Sequence, residues 1–228
     1  MGLKPDEKRN ISVNFIGYGR PESELWIMGF EESASERWHG TTDEQYEKFR
    51  NGYTNEMSFE ILKSTRGTYQ GYSRLIEKLF ANHKNSFFVC NLLPFGKRDA
   101  GSQLTIGDCI ELGCSNHEKL YEITIEDRYN ALLDFFKKWD WKDKYIIFCI
   151  GNTNCKDINL KKSYLRRFLE KLYALEFEKV FKPFEHSSNK TYTYLYHDNE
   201  KKKFITYQGS SGPHINRGIN FINKLLNT

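Results

Sequence analysis

The sequence predicts an α/β fold: a three-layer sandwich whose central, mostly parallel four-stranded sheet is flanked by helices. Three observations carry this expectation. Short apolar runs alternate with segments of helical periodicity along the chain. The runs end at Gly, Asn or Tyr and open into loops of small and polar residues, as strands delivering loops to a sheet rim do. A chain of 228 residues suits one α/β domain with a substantial core, so residues 1–228 read as a single domain.

The elements follow in order. Residues 1–23 are largely polar, and 1–20 read as an N-terminal arm; Gly17-Tyr18-Gly19 near its end is not a dinucleotide fingerprint, because Glu stands at 22. Leu25-Trp26-Ile27-Met28 is the first core strand and stops at Gly29. Residues 42–64 are polar with helix-like spacing, and 69–83 form a better helix with Tyr72, Leu75, Ile76, Leu79 and Phe80 on one side. Residues 87–92 are the second core strand, ended by Pro94 and Gly96. Residues 97–122 carry little periodicity and many Gly and polar residues, and read as a long loop or lid. A helix over 126–139, a third core strand over 145–150 and a helix over 163–175 follow. A strand, a turn at His197-Asp198-Asn199, a final strand over 203–207 and a helix over 216–226 end the chain.

Bulk properties narrow the function classes. Net charge is +4, which permits a polyanionic partner without demanding one. No apolar run approaches the roughly 18–20 residues of a membrane span, and the first ten residues hold no apolar signal region. The expected setting is therefore the cytoplasm, with no membrane partner. Five cysteines, odd in number and with no C-x-x-C pair, read as reduced structural thiols. No zinc spacing, P-loop or H-E-x-x-H occurs, and Cys109, Cys114 and His117 make at best a three-ligand fragment. No metal and no cofactor are expected.

In parallel sheets, ligands sit beyond the carboxyl ends of the strands. Four loops leave such ends: Gly29-Phe30-Glu31-Glu32, Asn91-Leu92-Leu93-Pro94, Gly151-Asn152-Thr153-Asn154, and the loop from Gln208 through Ser210, Ser211, Gly212 and Pro213 to His214. Over roughly residues 20–222 this pattern resembles the uracil-DNA glycosylase superfamily. There an apolar strand leads to a Gly-x-(Asp/Asn/Glu)-Pro-Gly motif, a middle strand ends in a base-reading Asn, and a late strand leads to a His-Pro-Ser-Pro motif. Here "LWIMGFEES", "FFVCNLLPF" and "FITYQGSSGPHIN" stand in those places. The first motif lacks its Pro and second Gly, and Gln208 stands where the second motif's His is expected unless His214 supplies the imidazole from a shifted loop. The family's iron–sulfur branch has two ligand cysteines near the N-terminus, and this chain has none there.

The resemblance implies a monofunctional DNA glycosylase acting on uracil or another altered pyrimidine, monomeric, with single- or double-stranded DNA as partner. An unusual base would fit the motif departures, as in repair or in defence against modified phage DNA. Glu31, with Glu32 as alternate, would stabilise the cationic sugar and position water; the competing account is two acids at a helix N-terminus. Asn91 would read the pyrimidine edge with its donor and acceptor, or else bond its own turn. Gln208 or His214 would donate to the base oxygen as charge develops. Phe30 and Trp38 would contact and stack on the flipped base, Trp38 being equally readable as a core anchor. Ser210, Ser211 and Gly212 would bring backbone N–H groups to phosphate, aided by Arg217, Lys97 and Arg98. A base-stack wedge at Ile215 competes with a plain core contact. Outside the enzyme class, the chain would be a non-catalytic nucleic-acid or nucleotide-binding module. A Ser hydrolase with Ser211 ranks last, since its surroundings are not G-x-S-x-G.

Overall fold

The computed structural model describes residues 2–29, 42–65, 68–95, 104–149, 158–173, 181–185, 192–198 and 201–207. The described elements are helices α1 (Pro5–Asn14), α2 (Asp43–Phe49), α3 (Phe59–Ser64), α4 (Thr68–Leu79), α5 (Ile106–Glu111), α6 (His117–Lys138) and α7 (Ile158–Tyr173), and strands β1 (Gly17–Gly19), β2 (Leu25–Gly29), β3 (Tyr53–Thr54), β4 (Phe87–Asn91), β5 (Tyr145–Cys149), β6 (Phe181–Glu185), β7 (Tyr192–Asp198) and β8 (Lys201–Tyr207).

The chain is α/β, with one mixed sheet flanked by helices. Its order is β3-β1-β4-β2-β5-β8-β7-β6. This corrects the expected four-stranded, mostly parallel sheet. The strands expected from the four apolar runs are adjacent and mutually parallel as β4-β2-β5-β8, but β1 joins β4 antiparallel, and β7 pairs antiparallel with both β8 and β6. The antiparallel part at one side has a local cause: β7 and β8 form a hairpin joined by two residues, a connection only antiparallel strands can use. β6 holds Pro183, which cannot donate to a ladder, and it lies at the sheet edge where that is tolerated.

Strand alternation sorts the side chains into two cores. Leu25 and Ile27 of β2, Phe87 and Val89 of β4, and Ile147 of β5 face one side, where they join Leu62 of α3 and Tyr72, Leu75 and Ile76 of α4. Trp26, Met28, Phe88, Cys90 and Ile146 face the other, where they join Leu132, Phe135 and Phe136 of α6 and Phe168 and Leu169 of α7. A strand buried on both faces reads as an unbroken apolar run, which is why these strands stand out in the sequence. Trp26 fixes α6 on the sheet: its ring meets Phe136 edge-on at 5.1 Å between centroids, and its indole N–H donates to the Pro21 carbonyl at 3.0 Å.

The N-terminal segment is not a polar arm. Pro5 starts α1 where a missing N–H is harmless, and Glu7 accepts from the Lys4 N–H at 2.9 Å. Ile11, Val13, Phe15, Ile16 and Tyr18 are buried, so the few apolar residues among the charges are the ones that dock. Gly17-Tyr18-Gly19 is a strand. It lies so close to β4 that a Cβ at Gly17 would meet the Val89 carbonyl oxygen and lie 2.9 Å from the Cys90 Cα. Gly19 has φ +94°, a conformation that glycine adopts freely.

The 97–122 segment is likewise not a continuous loop. Thr105 caps α5, and Asn116 caps α6 by accepting the Lys119 N–H at 2.9 Å. α6 therefore begins nine residues before the helix expected at 126, and its first turns bury Leu120, Tyr121, Thr124 and Ile125. The helix expected over 216–226 lies outside the described residues.

Candidate functional site

The connection from β2 to β4 covers one face of the sheet through α3 and α4, and the connection from β4 to β5 covers the other through α6. The chain thus moves from β2 to its neighbour on one side, then returns to the neighbour on the opposite side. In open α/β sheets, ligands bind beyond the carboxyl ends of the strands at such a switch point, which here falls at β2 and β5. The strand register aligns those ends: Asn91 stands beside Gly29, Gly29 beside Cys149, and Cys149 beside Tyr207. Four strand termini form one row across the sheet.

At the β4 end of the row stands the polar side chain of Asn91, beside Gly29. Gly29 has no side chain, and the space a Cβ would fill is taken from both sides. It would lie 2.5 Å from the Asn91 Oδ1 and 2.5 Å from the Tyr72 Oη. Asn91 is 7% exposed and Tyr72 2% exposed, so an amide and a phenol meet over a bare backbone at the end of two parallel strands. The Gly29 carbonyl accepts the Leu92 N–H at 2.9 Å, tying the turn after β4 to the end of β2.

Arg128 holds the same turn from the α6 side. Its Nη2 donates to the Asn91 carbonyl at 2.5 Å and its Nε to the Leu92 carbonyl at 3.2 Å. Burial pushes this guanidinium down to about 10, which leaves it charged at neutral pH. Burial pushes the neighbouring Cys90 thiol up to about 12, so Cys90 is a protonated core residue rather than a nucleophile.

This arrangement can recognise the edge of a planar polar group. Asn offers a donor and an acceptor in one plane, Tyr a hydroxyl that does either, and Gly29 leaves the room that both polar groups occupy. Replacing Gly29 by Ala forces both Asn91 and Tyr72 to move, because both oxygens stand far inside the contact distance of a methyl group. The expected result is a folded protein in which any activity or ligand affinity depending on Asn91 falls at least about tenfold, the effect of a small misplacement of a binding group. A crystal structure of that variant with Asn91 and Tyr72 unmoved would contradict it.

Of the residues expected from sequence to form the site, Asn91 is placed, at the end of β4. Phe30, Glu31, Glu32, Trp38, Lys97, Arg98, Gln208, Ser210, Ser211, Gly212, His214, Ile215 and Arg217 lie outside the described residues. In chain terms Glu31 follows Gly29 by two residues and Gln208 follows Tyr207 by one, and both of those strand ends belong to the row. Cys109 and Cys114 are buried members of the core under α6, and among the described residues no cluster of three His, Cys, Asp or Glu side chains can hold a metal.

Sequence reasoning did not single out Tyr72 or Arg128 for the candidate site, and took Gly29 only as the end of a strand and the start of a motif loop. Tyr72 falls on the apolar side of a helix and reads as core. Arg128 did leave a signal: it interrupts the buried stripe Leu120, Tyr121, Thr124, Ile125, Tyr129, Leu132, Phe135, Phe136 at a position where helical spacing calls for an apolar residue. No family model matches the chain, and no curated protein matches it. No described helix is long and apolar enough to cross a membrane.

Proposed function

We propose that this chain is a monofunctional DNA glycosylase of uracil-DNA glycosylase-like fold, which flips out uracil or another altered pyrimidine and hydrolyses its N-glycosidic bond. The observation that carries the reading is Asn91: a buried amide at the carboxyl end of a central parallel strand, leaning over Gly29, whose own loop leads to Glu31 and Glu32. In this reading Asn91 pairs with the pyrimidine edge, and Phe30 and Trp38 contact the face of the ring. The C1′–N1 bond breaks with its electron pair leaving on the base, and Gln208 or His214 donates to the base oxygen where that charge develops. Glu31, or Glu32 in its place, stabilises the cationic sugar and accepts a proton from the water that attacks C1′. Ser210, Ser211, Gly212, Arg217, Lys97 and Arg98 hold the flanking phosphates. The enzyme works as a cytoplasmic monomer without metal or cofactor, in repair or in defence against modified phage DNA.

Incubation with oligonucleotides carrying a panel of altered bases, followed by alkali, tests this: cleavage at abasic sites supports it. A second reading, a non-catalytic binding module on the same fold, draws on the missing motif Pro after Glu31 and on Gln208 in the place of a His. DNA retention without abasic product across the panel favours that reading.

Asn91→Asp exchanges the amide donor for a second acceptor. The expected outcome is a shift of substrate preference toward a base that presents an N–H at that position, as cytosine does. An unchanged substrate profile at full activity removes Asn91 from the pocket.

A further inference from the structure

Arg128 is sealed in the interior: it is 1% exposed, midway along α6, on the stripe that packs against the sheet. Three of its nitrogens donate to four backbone carbonyls. Nη1 reaches Val13 at 2.8 Å and Phe15 at 2.7 Å, Nη2 reaches Asn91 at 2.5 Å, and Nε reaches Leu92 at 3.2 Å. Among the described residues no carboxylate pairs with it. A charged group sealed in a core is usually matched by an opposite charge. This one is spent entirely on main chain, and on only two places in it.

The first place is the end of α1, where the Val13 and Phe15 carbonyls have no helical partner of their own and a cation is favoured. The second is the last residue of β4 and the one after it. A guanidinium is planar, with its N–H groups in a fixed fork, so meeting all four acceptors at once sets the two segments in one mutual orientation. The carbonyl it holds most closely belongs to Asn91 itself. Holding that peptide plane constrains the direction in which the Asn91 Cα–Cβ bond leaves the strand, and with it the positions that the amide can take over Gly29.

We infer that Arg128 is a positioning residue: from behind the sheet, and without touching a base, it sets the orientation of the Asn91 amide and thereby the discrimination between bases. The functional half of this rests on the glycosylase reading, and the structural half does not. Arg128→Lys is the variant to use, since it keeps the charge and the stem but has no planar fork. In a proton–nitrogen spectrum, the Asn91 side-chain amide is assigned by its disappearance in Asn91→Asp. In Arg128→Lys this resonance is expected to move or broaden, while the other Asn and Gln side-chain amides stay in place. Base release should lose at least about tenfold in discrimination between uracil and cytosine, the scale set by a misplaced polar contact. Affinity for a duplex with a preformed abasic site should stay unchanged, which mere loss of folded protein would not produce.

An Asn91 amide unmoved in a folded Arg128→Lys protein overturns the inference, as does intact discrimination in an active one. If wild type releases no base from any substrate, the glycosylase reading fails separately and the amide resonance alone decides the positioning role. If Arg128→Lys does not fold, the reciprocal measurement decides. In Asn91→Asp the new carboxylate is expected to shift the Arg128 Nε–H resonance, and an unshifted resonance overturns the inference.

Discussion

Glu31→Gln is expected to leave fold and DNA affinity intact and to slow base release at least about 10²-fold, the scale of removing one preorganised electrostatic stabiliser. The substitution is nearly isosteric, so what it removes is charge. A carboxylate about 5 Å from a developing sugar cation, at an effective dielectric of about 20, is worth about 3 kcal/mol. At about 1.4 kcal/mol per decade this is roughly a hundredfold in rate. Loss of proton transfer from water adds to it. The position follows from the chain: β2 ends at Gly29 in the middle of the row of strand termini, and Glu31 is the second residue beyond it. Single-turnover base release, measured alongside affinity for an abasic duplex, separates chemistry from binding. A fully active Glu31→Gln protein beside an inactive Glu32→Gln protein would shift the motif by one residue. Full activity in both would remove the carboxylate from the proposed mechanism.

In the parallel centre of the sheet, β2 and β4 were legible because they are buried on both faces and therefore read as apolar runs, Leu25 to Met28 most plainly. The antiparallel flanks were not. Gly17-Tyr18-Gly19 has the composition of a turn, and only its approach to the β4 backbone explains why a strand needs those glycines. Phe181–Glu185 contains Pro183 and Lys182, which suppress a strand reading everywhere except at an edge. α1 was hidden for a related reason: among ten residues only Ile11, Ser12 and Val13 are buried, too few to generate a helical pattern against the charges around them. In the candidate site, Asn91 was legible as a polar residue closing an apolar strand. Tyr72 was not, because a tyrosine on the core side of a helix looks the same whether its hydroxyl meets solvent, backbone or a binding amide. Gly29 looked like a stop signal, and its second role, leaving space for Asn91 and Tyr72, exists only in three dimensions.

Arg128→Met is expected to cost about 3–5 kcal/mol of stability, the usual consequence of removing one side of a buried charged contact. Two effects oppose each other. Burial moves the guanidinium from its ordinary 12.5 to about 10, so holding the charge inside disfavours the fold by roughly 3 kcal/mol, and methionine removes that penalty while keeping an apolar stem of similar length. Against this, the carbonyls of Val13, Phe15, Asn91 and Leu92 lose the donor that all four share. Each buried acceptor left without a donor costs about 1–3 kcal/mol, so four of them outweigh the relief. The loss is shared between two elements, and both the end of α1 and the turn after β4 are expected to exchange their amide hydrogens faster. At about 2–4 °C per kcal/mol for a chain of this size, the midpoint of thermal unfolding should fall by roughly 10 °C. Urea unfolding followed by circular dichroism checks the figure, with an unchanged slope showing that the unfolded state is the same. A methionine variant as stable as wild type would mean that water or a rearranged backbone satisfies the four carbonyls, and that the guanidinium is not what ties α1 to the Asn91 turn.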